Sequence, residues 1–176
     1  WRDGRAELGR RALARRLPLA LFIEDAVSIG LPRVPGTAVF LSASPAGTPD
    51  ALLHHVKHNQ ALHERVIVLT IQSADVPSVP DCERLQVEDV GQGFWRLVAR
   101  FGFIEAPDVP QIMLLARGAG LVTEPMATSY YLGRVRLLAT GPARMSRWRK
   151  ELFAYLSHNA QGASGYWNLP PGRVVE

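Results

Sequence analysis

Two runs of consecutive apolar residues flank a segment with helical spacing. Thr37-Ala38-Val39-Phe40-Leu41-Ser42 and Val66-Ile67-Val68-Leu69-Thr70-Ile71 lack polar alternation, the mark of strands buried on both faces. Between them Leu52, Leu53 and Val56, continued by Gln60 and His63, recur at helical spacing. Thr48-Pro49-Asp50 predicts the start of that helix, with Thr as N-cap, Pro at the first position and an acid in the first turn. Strand, helix and strand of these lengths predict a βαβ unit with parallel strands and a right-handed crossover.

The pattern then changes period. Arg84 to Val90 alternates, with Leu85 and Val87 on one face, and Gly91-Gln92-Gly93 turns the chain. Trp95, Leu97, Ala99, Phe101 and Phe103 alternate against Phe94, Arg96, Val98 and Arg100, which predicts an antiparallel hairpin with one buried face. Pro107-Asp108-Val109-Pro110 opens a helix over about 110–119 with Ile112, Leu115 and Ala116 inward. Ser129 to Leu132 reads as a short strand. Met145, Trp148, Leu152, Tyr155 and Leu156 predict an amphipathic helix over 144–160, and Val174-Val175 a last strand.

Before the first strand, residues 2–16 hold good helix formers, but Arg2 and Arg10 share a face with Ala6 and Leu13. Such poor amphipathicity suits a connector rather than a helix lying flat in a membrane. A helical turn from Pro18 runs through Phe22 towards Val27, and the stretch from Gly30 to Gly36 reads as a linker. The expected fold class is α/β: a small mixed β-sheet with a central parallel βαβ unit plus an antiparallel hairpin, flanked by about three helices and preceded by a basic N-terminal helical arm. Residues 1–34 are assigned to the arm and linker, 35–176 to the domain.

Charge sharpens this division. Arg2, Arg5, Arg10, Arg11, Arg15 and Arg16 stand against Asp3 and Glu7, which equals the whole-chain excess of +4. The rest is neutral. A basic arm is compatible with a solvated helix, with nucleic acid, or with a membrane flank, where cytoplasmic Lys and Arg collect. The most apolar candidate for a membrane span, Leu17 to Ile23, contains a proline and stops at Glu24-Asp25, far short of the ~20 residues a span needs. With 47% hydrophobic residues the chain is expected to be a soluble folded body. Both ends read as cut from a longer protein.

Candidate chemistry is sparse. His54, His55, His58 and His63 crowd one segment, with His54 and His58 at i, i+4, a spacing that suits zinc, but no HExxH pattern or nearby Cys completes a site. Helix-surface roles are the expectation, with His63 at the helix end beside a dipole that favours positive charge. Cys82, the sole cysteine, lies between two acids, Asp81 and Glu83, and is not read as a reactive nucleophile. Glu88-Asp89 reads as a solvated pair. The loop joining the first strand to its helix, with Ser42, Ser44, Gly47 and Thr48, is a candidate anion or nucleotide site, because ligands of α/β sheets bind at that end. Pro45 and Pro49 remove two amide donors from it, and no glycine-rich phosphate motif is present. No catalytic triad or elbow is found, and no enzyme, cofactor or metal is expected.

Several stretches together carry a family resemblance. Arg33-Val34-Pro35-Gly36-Thr37-Ala38-Val39-Phe40-Leu41 and Leu52 to Val66, with Lys57-His58-Asn59 and Leu62-His63-Glu64-Arg65 inside it, resemble segments of the bacterial Kup potassium uptake proteins. Gly93-Phe94-Trp95-Arg96, Arg100-Phe101-Gly102-Phe103, Pro107 to Pro110, Tyr130 to Arg134 and Pro170 to Glu176 follow in the family's order, with Val135 departing from its usual Glu. The resemblance implies that this chain is the C-terminal cytosolic domain of an inner-membrane potassium importer coupled to protons. Its partner would be the transmembrane part of the same polypeptide, which would handle K+ and H+, and nucleic acid would play no part. The six arginines would then be membrane-proximal. Trp95, Phe101 and Phe103 are compatible with homodimer packing, and core packing explains them equally well. The expected role is accessory or regulatory; the alternative is a ligand-sensing domain using the 42–48 loop.

Overall fold

The computed structural model describes residues 17–133 and 167–175. The arginine-rich segment 1–16 and the helix expected over 144–160 lie outside the described residues. Within them the elements are α1 (Leu19–Ile29), β1 (Arg33–Ser42), α2 (Asp50–Asn59), β2 (Leu62–Ser73), α3 (Asp81–Arg84), β3 (Leu85–Gly91), β4 (Phe94–Phe101), α4 (Val109–Arg117), β5 (Thr128–Tyr131) and β6 (Val174–Val175). They build a mixed α/β fold around one six-stranded sheet in the order β3-β4-β2-β1-β5-β6. Only the β3–β4 hairpin is antiparallel.

The unalternating strands have the environment their sequence predicts. Val39, Leu41, Ile67 and Leu69 point to one face, with Leu97, Ala99 and Phe101 of β4, where α4 covers them with Val109, Ile112, Met113 and Ala116. Ala38, Phe40, Val66 and Val68 point to the other, under α1 and Leu52 of α2. The two helical crossovers explain this layering. From β1 the chain moves one way across the sheet through α2 to β2, and from β4 it moves the opposite way through α4 to β5. Crossovers of the same hand that run in opposite directions place their helices on opposite faces.

The expected linker is shorter than its composition suggested. Gly30 ends α1 in the left-handed region, φ 70°, with its amide bonded back to Ala26 and Val27 carbonyls. Pairing with β2 then begins at once, as Arg33 stands opposite Leu62. The irregularity at Pro35-Gly36 is a register shift inside β1, and Gly36 is needed there because a Cβ would strike the Ala127 carbonyl oxygen at 2.7 Å. Residues 19–29, grouped with the arm on sequence grounds, supply Leu19, Phe22, Ile23 and Ala26 to the core. Phe22 meets Phe94 edge to face at 6.1 Å and 82°. Phe94 is thereby fully buried on the side of the hairpin that carries Arg96 and Arg100, while Arg100 further along stays exposed.

Two end signals read differently in three dimensions. Thr48 is not the N-cap of α2; Pro49 holds that position and no side chain caps the helix. Asp108 does cap α4, its carboxylate accepting from the Gln111 amide at 2.9 Å.

Candidate functional site

The candidate anion loop, with Ser42, Ser44, Gly47 and Thr48, lies between β1 and α2. Ser42 Oγ donates to the Ser44 carbonyl at 2.7 Å and accepts from the Ser44 amide at 3.3 Å. Ser44 Oγ accepts from the Ala46 amide at 3.3 Å. Thr48 N–H donates to the Leu17 carbonyl at 2.8 Å. Pro45 and Pro49 lack donors, and of the other amides that could cradle a phosphate Ser44 and Ala46 are engaged inside the loop and Thr48 on Leu17. Gly47 adopts φ 107°, which turns the chain into α2. Thr48 is fully buried, and its hydroxyl finds no partner among the described residues. The loop clamps Leu17 to the sheet.

The histidines sort into two groups. His54 and His58 stack at 6.3 Å and 8° on the exposed side of α2. His55 faces inward, edge-on to Tyr131 at 4.8 Å and to Phe40 at 5.6 Å, while Tyr131 stacks on Phe40 at 4.6 Å and 16°. His63 lies not at the helix end but in β2, with its ring 5.6 Å from His55. The Asn59 amide nitrogen, 3.0 Å from His55 Nδ1, donates to it and so leaves the His55 proton on Nε2. Burial pushes both pKa values below the ordinary 6.5, and proximity to His63 adds to this for His55. This is opposite to the positive charge expected of His63. No group of three or more metal-ligand side chains occurs among the described residues. The pair forms a neutral, aromatic-walled corner of the sheet. Sequence reasoning named both histidines but not Tyr131, whose place depends on the register Phe40↔Tyr131 between β1 and β5.

The three candidate interface aromatics do not share a surface. Phe101 is 4% exposed in the core under α4, Trp95 packs against that core, and Phe103 stands 63% exposed beyond the strand. Beside β5, Met113, Leu114, Thr128, Tyr130 and Pro170 line an apolar recess of about 160 Å³. It is smaller than ordinary ligand pockets, ~300 Å³ and above, and the Arg117 and Thr128 side chains on its wall donate to the Thr123 and Glu124 carbonyls.

A network that sequence reasoning missed joins the loops after β2 and β4. The Glu105 carboxylate accepts from Arg84 at 2.8 Å, the Gly102 amide at 2.7 Å, Ser78 Oγ at 2.9 Å and the Val79 amide at 3.2 Å. Arg84 also donates to Asp81 at 2.9 Å and to the Val79 carbonyl at 2.6 Å, with its guanidinium 4.9 Å over Phe101. These partners lie up to 27 residues apart, and their composition signals nothing.

None of these arrangements assembles a nucleophile with a base. Comparison with known proteins decides what the chain is part of. Residues 35–176 match the family model described as the K+ potassium transporter C-terminal domain. The chain belongs to this family. It is 55% identical over its whole length to the "Probable potassium transport system protein Kup 2" of Syntrophobacter fumaroxidans, covering 28% of that protein. The corresponding figures are 52% and 27% for Kup 1 of the same organism, and 45% and 27% for Kup of Myxococcus xanthus. The chain thus spans little more than a quarter of the curated relatives it matches. No solved structure gives a significant match. No helix among the described residues of this K+ transporter C-terminal domain is long and apolar enough to cross a membrane.

Proposed function

We propose that the chain is the cytosolic accessory domain of a proton-coupled potassium importer, modulating its assembly or gating, while the rest of the polypeptide handles the ions. One observation carries this reading: the chain matches potassium transport proteins end to end, yet accounts for only 27–28% of their length. Arg2 to Arg16 then serve as the membrane-side flank, where positive charge favours the cytoplasmic face. Sensing of an anion by Ser42, Ser44, Gly47 and Thr48 has weaker support, because the Ser44, Ala46 and Thr48 amides are already engaged.

The test is potassium uptake in a transport-deficient cell, comparing the full-length parent with a version ending before Pro18. The cut belongs there, since ending the chain at Pro35 would leave the apolar side of α1 without its sheet. Altered uptake at equal membrane abundance supports a modulatory domain. Unchanged uptake across potassium concentration and pH counts against it.

A further inference from the structure

One end of the sheet carries an exposed apolar group flanked by acids. β1, β2 and β4 are parallel, so Ser42, Ser73 and Phe101 finish at that end. The described chain also enters there, the Leu17 carbonyl accepting from the Thr48 amide at 2.8 Å just after β1. The loops after β2 and β4 emerge at the same end and expose Val76, Phe103 and Ile104 at 45, 63 and 71%. They are adjacent: the Phe103 amide donates to the Val76 carbonyl at 2.9 Å, and the Ile104 amide to the Pro77 carbonyl at 3.3 Å. Glu105 clamps both loops through Ser78, Val79, Gly102 and Arg84. A single exposed apolar residue is ordinary, but three fixed side by side mark a contact surface.

The charge of the same loops indicates the kind of partner. Residues 74–84 and 102–107 hold Asp75, Asp81, Glu83 and Glu105 against Arg84 alone. Glu105 and Arg84 neutralise each other inside the clamp, which leaves Asp75, Asp81 and Glu83 exposed around the apolar group. Arg100, the exposed cation just inside β4, alternates to the face opposite Phe101. Three exposed carboxylates repel an anionic lipid surface, and they repel the same face of a second copy. They attract a segment that combines apolar side chains with Lys or Arg. The chain is the C-terminal domain of proteins of which it spans 28%, so most of the polypeptide lies elsewhere and leads in towards this end of the sheet. In a membrane importer, the cytoplasmic segments of that remainder are the ones that collect Lys and Arg.

We propose that this end of the sheet docks a basic cytoplasmic segment of the same polypeptide's membrane part, with Val76, Phe103 and Ile104 covered by its apolar side chains and Asp75 and Glu83 facing its cations. The proposal rests on the membrane-importer reading above, but its test needs no transport. In the full-length parent, Phe103 is replaced by the photoreactive p-benzoylphenylalanine, membranes are irradiated, and the adduct is located by mass spectrometry. The expected adduct has the mass of a single chain and joins position 103 to a Lys- or Arg-bearing peptide outside the 176 residues. Asp75→Lys with Glu83→Lys, which leaves the Asp81–Arg84 and Glu105–Arg84 bonds in place, should cut its yield about fivefold. Val76→Ser with Ile104→Ser should cut it about as much. Ile29→Ser with Met126→Ser, exposed positions at the opposite end of the sheet, should leave it unchanged. Equal membrane abundance of the variants separates lost docking from lost folding.

An adduct with lipid, one of twice the chain mass, or one confined to residues 1–16 would assign the face to the bilayer, a second copy or the arm, and each overturns the proposal. So would a yield that the Asp75/Glu83 charge reversal leaves unchanged, or an equal loss in the Ile29/Met126 variant. Uptake altered by truncation with no adduct at position 103 would sink the docking alone. The adduct together with unaltered uptake would uphold the docking and sink only the modulatory role.

Discussion

Arg84 and Glu105 meet at 2.8 Å across 21 residues of sequence, with the Arg84 side chain 10% exposed and Glu105 19%. The hydrogen bond from Arg84, with those from Gly102, Ser78 and Val79, lowers the Glu105 pKa from 4.5 to about 2. A carboxylate depressed in the folded state stabilises the fold fully above its unfolded pKa and loses that contribution as pH falls through the folded value. Stability should therefore decline between about pH 4.5 and pH 2. Glu105→Gln should lower the thermal midpoint at pH 7 and flatten the decline in that window. Calorimetry across pH checks both, and an unchanged acid slope in the variant would refute the assignment.

Thr48 presents the opposite case, a polar group the fold buries without use. Its hydroxyl is enclosed with no partner among the described residues, while its backbone amide does the work of holding Leu17. Removing an unmatched buried hydroxyl at nearly constant shape is stabilising. Thr48→Val should raise stability by about 1 kcal/mol. Denaturant unfolding measures it, and a loss of similar size would show that the hydroxyl has a partner.

Thr48 also shows where sequence reading succeeded and stopped. The β1-α2-β2 unit, the hairpin and α4 were legible because each owes its form to local periodicity and punctuation. Thr48-Pro49-Asp50 was read as a cap by the same local rules, but tertiary contact with Leu17 moved the helix start one residue on. α1 was legible as a helix and not as core, since the sheet residues its apolar side covers, Phe94, Phe40 and Val66 among them, are distant in sequence. The candidate anion loop was correctly placed at the end of β1. Its donors could not be counted until the serines showed which amides they engage. The Glu105 clamp had no sequence signal, because backbone amides supply half its bonds.

The His55 and His63 pair makes a second pH prediction with the same sign. Both rings are held neutral by partial burial, so each has a folded pKa below the ordinary 6.5. The unfolded chain binds protons first as pH falls, and stability is lost from about pH 6.5 downward. Ring resonances of both histidines should titrate below 6.5 by NMR, and His63→Leu should shift the His55 midpoint upward by removing a like charge. A His55 midpoint above 6.5 in the unmodified chain would sink this reading.

The remaining prediction concerns where the domain begins. Phe22 is 6% exposed and meets Phe94 edge to face, in the layer that also covers Ala38, Phe40 and Val66. Phe22→Ala removes this contact and leaves a cavity that Leu52 and Val68 cannot fill without leaving their own sites; such truncations cost about 3 kcal/mol or more. Leu21, on the same helix but 49% exposed, is a matched comparison, and Leu21→Ala should cost under about 1 kcal/mol. If α1 is instead only a tether between the arginine-rich segment and the sheet, both substitutions will be equally mild. Urea unfolding of the two variants separates the cases. A large loss confined to Phe22→Ala would place the domain's working boundary before Pro18, so that any force transmitted along residues 1–16 acts directly on the packed core.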